Sequence, residues 1–231
     1  MNRGVMAFEI EGFSGIVRLF PLPNLVMFPH VMQPLHLFEP RYMAMLESAV
    51  RSDRLIAMGL LKPGWENYYE GRPTPHPMAC LGRVAAHNKT EDNRFNILVM
   101  GLRRIRLIEE LNPTKPYREF LAELCEDNYP LPEKDLACLH NNLLLQFKSL
   151  LPQLPMDVEQ FEQVASHADS LGMLTDVISY TLNLEVEVKE ELLTELNVIR
   201  RAEKLLRQME LIRREMDIKE RSPFPPEFSL N

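Results

Sequence analysis

The sequence predicts an α+β fold, in which a β-rich first half is followed by an α-helical second half. In the first half, short apolar runs are separated by Pro and Gly, as is typical of strands and turns. From about residue 131, apolar residues recur at helical spacing. We therefore predict two domains, a β domain over residues 1–127 and a helical subdomain over residues 128–231.

The β domain is predicted to hold five or six strands and one early helix, arranged as a small barrel or strongly curled sheet. Prolines in residues 20–42 fix φ and remove N–H donors, so this apolar segment should lie in extended pieces rather than in a long helix or central strand. Residues 62–77 read as a long loop. The strands are predicted at 16–20, 54–61, 78–89, 94–110 and 117–126, and the helix at 41–51.

The helical subdomain should end in a long helix that begins after Asn197, a residue suited to the N-cap. Asp169 or Ser170 should cap an earlier helix. The last helix carries a heptad seam, which can pack on the preceding helices of a monomer or form a dimer. Its seam positions are Val198, Ala202, Leu205, Met209, Ile212 and Met216. Other helices are expected at about 136–150, 158–168, 171–182 and 187–195, and a disordered proline-rich tail at 222–231.

Charge and composition exclude several classes of protein. The 231 residues include 45% hydrophobic and 26% charged residues, an ordinary globular mixture. The net charge of −7 falls entirely on residues 128–231, and neither half is basic, which argues against tight nonspecific nucleic-acid binding. No apolar run is long enough to span a membrane, and the N-terminal segment lacks the pattern of a secretion signal. Three scattered cysteines without a CxxC motif indicate a reducing compartment, which predicts a cytoplasmic protein.

The sequence offers no recognisable catalytic motif. No Gly-Lys pair occurs, so a P-loop is excluded, and GxSxG and HExxH motifs are also absent. The six histidines show no metal-ligand spacing. We therefore predict a protein that is not an enzyme and that needs no cofactor or metal.

Three segments carry a resemblance to a known family. The first is FPLPNLVMFPHVMQPLHLFEPRY at 20–42, the second is LGRV at 81–84, and the third is MGLRRIRL at 100–107. Together they resemble the N-terminal, substrate-binding domain of Lon proteases over about residues 15–219. Met100 stands where that family usually has Glu.

The resemblance implies a PUA-like β pseudobarrel followed by an α-helical bundle. It also implies a stand-alone form of the domain, since the ATPase and Ser-Lys protease domains of full-length Lon are missing from this chain. In Lon this region engages substrates and supports assembly. The expected function is therefore noncatalytic binding of unfolded or apolar protein segments, with possible delivery to a protease and with no membrane partner.

Candidate site residues fall into two groups. An aromatic, proline-stiffened loop and nearby apolar side chains are candidates for protein interaction. These are Trp65, Tyr68, Tyr69, Met27, Phe28 and Met32, although Trp65 could instead plug the barrel and the methionines could belong to the core. The family motif residues are expected to be structural, with Phe38 packed inside, Glu39 and Arg41 fixing the helix start, and the glycines permitting a bulge or tight corner. They are Pro21, Asn24, Pro29, Phe38, Glu39, Pro40, Arg41, Tyr42, Gly82 and Gly101.

Two alternative functions remain open at this stage. PUA-like folds include RNA binders, and Arg103, Arg104 and Arg106 form the basic cluster that such a role would use. An ATP-independent peptidase is the second alternative, for which the sequence offers no catalytic constellation.

Overall fold

The protein forms an α+β structure, as predicted. The computed structural model describes residues 10–68, 71–151, 168 and 170–221. Within them, six strands and five helices follow one another, with a 3-10 turn at Trp65–Tyr68. The strands are β1 Ile16–Leu22, β2 Met32–Leu37, β3 Leu55–Leu60, β4 Met78–Lys89, β5 Phe95–Glu110 and β6 Arg118–Cys125. The helices are α1 Pro40–Val50, α2 Glu133–Leu150, α3 Leu171–Thr181, α4 Val186–Thr194 and α5 Val198–Arg221.

Five of the strands close into a barrel. β3 pairs with β1 in parallel, and the remaining contacts, β3–β4, β4–β5, β5–β6 and β6–β1, are antiparallel. Closure is possible because β5 has 16 residues, enough to pair with β2 along its first half and with β6 along its second half. Inward-facing side chains fill the barrel, as in other small barrels. They include Val17, Leu19, Leu55, Ala57, Ala79, Leu81, Ile105, Leu107, Phe120 and Ala122.

Two motif glycines lie opposite each other where β4 pairs with β5. Gly82 is opposite Gly101, and the register shifts at this point. A Cβ on Gly101 would lie 2.0 Å from the carbonyl oxygen of Phe28, and one on Gly82 would lie 2.5 Å from Val99 Cγ1. The close approach of the two strands and the Phe28 loop therefore requires glycine at both positions.

The proline-rich segment contributes β2, which pairs only with β5 among the described strands. Pro34 lies within it, and proline is tolerated on such an edge because the missing N–H need not serve a second neighbour. The extended path of this segment agrees with the sequence analysis. The expected burial of Phe38 is wrong, because Phe38 follows the solvent-facing alternation of β2 and is 58% exposed.

Helix α1 begins at Pro40, with Glu39 as the N-cap residue. The carboxylate of Glu39 makes no capping hydrogen bond. It pairs instead with Arg41, whose Nη2 lies 2.7 Å from Oε2. Tyr42 is buried and its ring centroid lies 4.5 Å from that of Phe20. The FEPRY residues therefore join the start of α1 to the barrel.

The chain divides into two compact units. The first contains the described residues up to Glu126 together with Ser179–Leu196, which includes α4. Sequence analysis placed the boundary after residue 127 and assigned α4 to the helical part. Helix α4 belongs with the barrel because it packs on β4, and the guanidinium Nε of Arg104 donates a 2.8 Å hydrogen bond to the Leu193 carbonyl.

The second unit contains the described residues of Asp127–Ile178 and those from Asn197 onward. Helix α5 packs on α2, and Asn197 caps it by accepting hydrogen bonds from the amides of Ile199 and Arg200. The first four seam positions, Val198, Ala202, Leu205 and Met209, are buried within this unit. The predicted helix at 158–168 falls mainly outside the described residues, as does the tail at 222–231.

Arg201 forms the polar centre of the second unit. Its side chain is fully buried, and its guanidinium lies between Asp127 and Asp176, with a 2.8 Å hydrogen bond from Nε to Thr175 Oγ1. A buried charge is tolerated only when it is paired in this way.

No described helix is both long and apolar enough to cross a membrane.

Candidate protein-interaction site

An exposed apolar face forms where β2 pairs with the first half of β5. Opposite residues in an antiparallel pair point to the same side of the sheet, and here Met32 is opposite Met100 and Pro34 is opposite Leu98. Met32 is 46% exposed and Met100 is 41% exposed. Phe38, which directly follows β2, is also exposed. These five side chains are called here the β2–β5 apolar face.

Polar contacts border this face at both ends. At one end, His36 Nδ1 lies 2.8 Å from Asn96 Oδ1, and the His36 ring stacks near Phe38 with 6.3 Å between centroids. At the other end, the hydroxyl of Tyr180 donates a 3.2 Å hydrogen bond to the carbonyl of Met32. The face is therefore held in place by its rim while its apolar side chains remain open to solvent.

Sequence analysis predicted only part of this face. Met32 was identified as a candidate, but Met100 was noted only as a departure from the family pattern, and Phe38 was expected inside. The strand register brings Met32 and Met100 together, and that register is a long-range property with no local signal. Period-two alternation through 32, 34, 36 and 38 was the available signal for the exposure of Phe38.

Met27 and Phe28 do not contribute to an interaction surface in this structure. Met27 is 1% exposed and Phe28 is fully buried. Both follow β1 into the core, where the methyl group of Met27 would lie 3.6 Å from a Cβ on Gly82. Their assignment as contact residues is corrected to the core role that the sequence analysis had left open.

The aromatic loop is only partly described. Trp65 is half-buried and lines a surface pocket of about 480 Å³ with Lys62, Arg72 and Pro73. Tyr68 lies in the 3-10 turn, but its side chain is outside the described part, and Tyr69 is outside it entirely. The loop therefore remains a predicted interaction region, with Trp65 as the member whose position is known.

The basic cluster is dispersed by the fold. Arg104 is 2% exposed and is covered by α4, so it cannot reach a phosphate. Arg103 is half-buried and donates a hydrogen bond to the carbonyl of Leu102, whereas Arg106 is exposed and lies opposite Glu123. A single exposed arginine beside a glutamate supplies little of the charge that RNA binding requires.

A second exposed apolar pair lies elsewhere on the barrel. Ile16 is opposite Leu121 across β1 and β6, and the two are 45% and 41% exposed. This pair matches Met32 and Met100 in exposure and cross-strand geometry but lacks their flexible thioether side chains. It therefore serves as an internal control for experiments on the β2–β5 apolar face.

A groove lies beside β2 within the first unit. Its volume is about 420 Å³, and it contains polar as well as apolar side chains. We call it the β2–α4 groove, and it is lined by Asn24, Leu25, Val26, Gln33, Tyr180, Asn183, Leu184, Glu185, Val186 and Lys189. Burial lowers the pKa of Lys189 and raises the pKa of Tyr180.

One buried carboxyl group lies where α4 packs on the barrel. Glu190 is 6% exposed, and desolvation raises its pKa to about 7 although Thr194 donates a hydrogen bond to it. His76 Nδ1 is 3.5 Å from Glu190 Oε1, and burial, with a contribution from Lys62, lowers the pKa of this histidine. Within the described residues, no group of three or more His, Cys, Asp or Glu side chains is arranged to hold a metal ion.

Comparison with known proteins identifies the family. A family model described as the substrate-binding domain of ATP-dependent protease La (LON) matches residues 16–210. The match covers most of the chain, and the protein therefore belongs to the LON substrate-binding domain family. This assignment confirms the resemblance seen in the sequence, and the matched model describes the substrate-binding part of the protease rather than its catalytic part.

The similar curated proteins are much longer than this chain. A Lon protease of Dictyoglomus thermophilum is 28% identical over 213 residues, which are 88% of this chain and 26% of that protein. A Lon protease of Desulfosudis oleivorans is 26% identical over 84% of this chain and 23% of its own length. The chain thus spans about a quarter of the length of these relatives.

Two solved structures share the fold. A Lon N-terminal domain protein from Xanthomonas campestris matches with a TM-score of 0.59 and 20% identity, over 83% of this chain and 96% of that one. The N-terminal domain of a Mycobacterium avium complex Lon protease matches with a TM-score of 0.66 and 13% identity, over 84% of this chain and 98% of that one.

Proposed function

We propose that this protein is a noncatalytic module that binds exposed apolar segments of unfolded proteins through the β2–β5 apolar face. The observation that carries the proposal is the Met32–Met100 cross-strand pair, extended by Phe38 on the same exposed face. Methionine is unbranched and polarisable, so it adapts to client side chains of different shape. The family assignment supports a substrate-binding role of this kind.

In this role the protein works in the cytoplasm and hands its clients to a protease. Its three cysteines, Cys80, Cys125 and Cys138, are free thiols, which fits a reducing compartment. An RNA-binding role has less support, since Arg104 is enclosed beneath α4.

Replacement of the methionine pair by glutamate tests the proposal. In the double variant Met32→Glu/Met100→Glu, a client must approach two carboxylates instead of two thioethers. We expect at least a tenfold loss of affinity for a permanently unfolded model protein, corresponding to about 1.4 kcal/mol or more. Affinity is measured by fluorescence anisotropy with a labelled, reduced and alkylated substrate.

The matched control is Ile16→Glu/Leu121→Glu, which places the same charges on the other exposed cross-strand pair. This control should retain binding within about twofold, a difference of roughly 0.4 kcal/mol. Equal losses in the two double variants would show that the protein responds only to added charge, and the proposal would then be wrong. Circular dichroism of each variant checks that the fold is retained.

A further inference from the structure

The β2–α4 groove contains a cation without an ionic partner. Lys189 Nζ donates one hydrogen bond, of 3.2 Å, to the carbonyl of Tyr180. Among the residues that the structure describes, no carboxylate lies within ion-pair distance of this ammonium group. An ammonium group carries three donors, so an incoming acceptor could use the remaining ones.

We propose that the β2–α4 groove binds a carboxylate of the client peptide, with Lys189 as its cationic partner. This inference rests on the proposed function and deepens it, because it assigns a preferred chemistry to one part of the client. Partial desolvation of Lys189, which also lowers its pKa, supports the assignment, since an anion in the groove would compensate a charge that the protein leaves uncompensated.

The rest of the lining suits a peptide rather than a free inorganic anion. Asn24, Gln33 and Asn183 line the groove, and each amide side chain offers both a donor and an acceptor to a peptide backbone. Leu184 and Val186 add apolar surface. A groove of about 420 Å³ has room for a few residues of extended chain.

Glu185 is the acidic residue of the groove lining, and its exposure leaves Lys189 as the charge that an incoming carboxylate feels more strongly. Its side chain is exposed, whereas Lys189 is half-buried one helical turn further along α4. A charge in contact with bulk solvent is screened more strongly than a half-buried one. The carboxylate of the client should therefore be drawn toward Lys189, while Glu185 weakens its binding modestly.

The groove adjoins the β2–β5 apolar face. Tyr180, a lining residue, donates its hydroxyl hydrogen to the carbonyl of Met32, a member of that face. One extended client segment could thus place apolar side chains over the methionine pair and its carboxylate beside Lys189. The pocket beside Trp65, by contrast, is lined by none of the residues that form this face.

Three versions of one apolar ten-residue peptide test the inference on the intact protein. The first ends in a free carboxylate, the second ends in an amide, and the third ends in an amide but carries Asp at the penultimate position. Fluorescence anisotropy should give five- to tenfold tighter binding of the free acid than of the amide, roughly the net worth of one ordinary hydrogen bond. Tight binding of the Asp peptide would show that the groove accepts any peptide carboxylate. Weak binding of that peptide would show that the groove accepts only the carboxylate of the chain terminus.

Three variants make the assignment specific. Lys189→Met keeps the aliphatic stem and should abolish the difference between acid and amide peptides. Lys89→Met, at the exposed end of β4, makes the same chemical change outside the groove and should preserve the difference. Glu185→Gln should strengthen binding of the free acid by about twofold.

The outcomes separate this inference from the proposed function. If no peptide binds the wild-type protein, the proposed function itself fails. If acid and amide peptides bind equally well, or if the preference survives Lys189→Met, the groove assignment is overturned while apolar recognition stands.

Discussion

Gly101 illustrates how one atom can decide the path of the chain. A Cβ at this position would lie 2.0 Å from the Phe28 carbonyl oxygen and 3.1 Å from Pro29 Cα, which are both backbone atoms. Backbone atoms cannot swing aside as the end of a flexible side chain can. The amide of Gly101 also donates a 2.8 Å hydrogen bond to the carbonyl of Val31, directly before β2. The residue thus sets the approach of β2 to β5.

We predict that Gly101→Ala destabilises the protein by about 3 kcal/mol, because overpacking against backbone forces β5 and the Phe28 loop apart. The free energy of unfolding is measured by urea titration. Gly64→Ala is the control, since a Cβ there meets nothing within 4 Å, and its φ of 89° should cost only about 1 kcal/mol. Equal losses in the two variants would contradict a steric role for Gly101.

The same residue scale shows where sequence reasoning succeeds and fails. Asn197 was recognised as a cap because its hydrogen bonds are local, reaching only Ile199 and Arg200. The burial of Arg104 could not be predicted, because its partner is the carbonyl of Leu193, 89 residues away. Arginine in a polar run normally indicates a solvated strand face, and only the docking of α4 reverses that expectation.

At the scale of elements, α4 has a pH-sensitive attachment to the barrel. Glu190 lies on its buried side beside His76, with Thr194 as hydrogen-bond donor. The folded-state pKa of Glu190 is raised from 4.5 to about 7 by desolvation. A raised pKa means that folding favours the protonated carboxyl group, so stability is lost as the pH rises from about 4.5 toward 7.

We predict that Glu190→Gln is more stable than the wild type at pH 8 by about 3 kcal/mol, that this gain shrinks as the pH falls toward 4.5, and that it disappears below pH 4.5, where the carboxyl group is protonated in both states. Unfolding by urea is followed across this range. His76 has a lowered pKa, so above pH 6.5 it is neutral and the difference reports Glu190. Glu187→Gln, on the exposed side of α4, should leave the pH profile unchanged. A pH-independent difference for Glu190→Gln would contradict this account.

Strand and helix positions illustrate the reach of local patterns. The strands at β4 and β5 and the final helix α5 were predicted from periodicity because each is long and strongly patterned. Strand β2 was anticipated only as an extended segment. The prolines in and around it argue against a regular strand, and its pairing with β5 is nonlocal. The seam of α5 was ambiguous between dimer and intramolecular packing, and Leu205 and Met209 are buried within the second unit itself.

At the scale of the whole molecule, neither compact unit is continuous in sequence. The chain leaves the first unit after Glu126, returns for Ser179–Leu196, and leaves again. Composition and period change near residue 128, so sequence reasoning placed one boundary there. It could not detect the return of α4, because an amphipathic helix has the same pattern whether it covers a strand or another helix.

We predict that a fragment of residues 1–127 is much less stable than the first unit in the intact chain, because it lacks the segment that covers Arg104 and packs on β4. A loss of at least 10 °C in Tm, roughly 2 kcal/mol for a domain of this size, is expected by circular dichroism. Addition of a synthetic peptide spanning Ser179–Leu196 should restore part of the loss. A fragment that melts at the temperature of the intact protein would refute this dependence.

The return of the chain to the first unit has a consequence for biosynthesis. After Glu126 has been made, about 70 further residues must be added before Leu196 is available to complete that unit. At translation rates of about 5–20 residues per second, the nascent barrel waits roughly 4–14 s without α4. During this interval the surface of β4 and the side chain of Arg104 are uncovered, and a protein whose proposed role is to hold unfolded chains would itself be a client for chaperones.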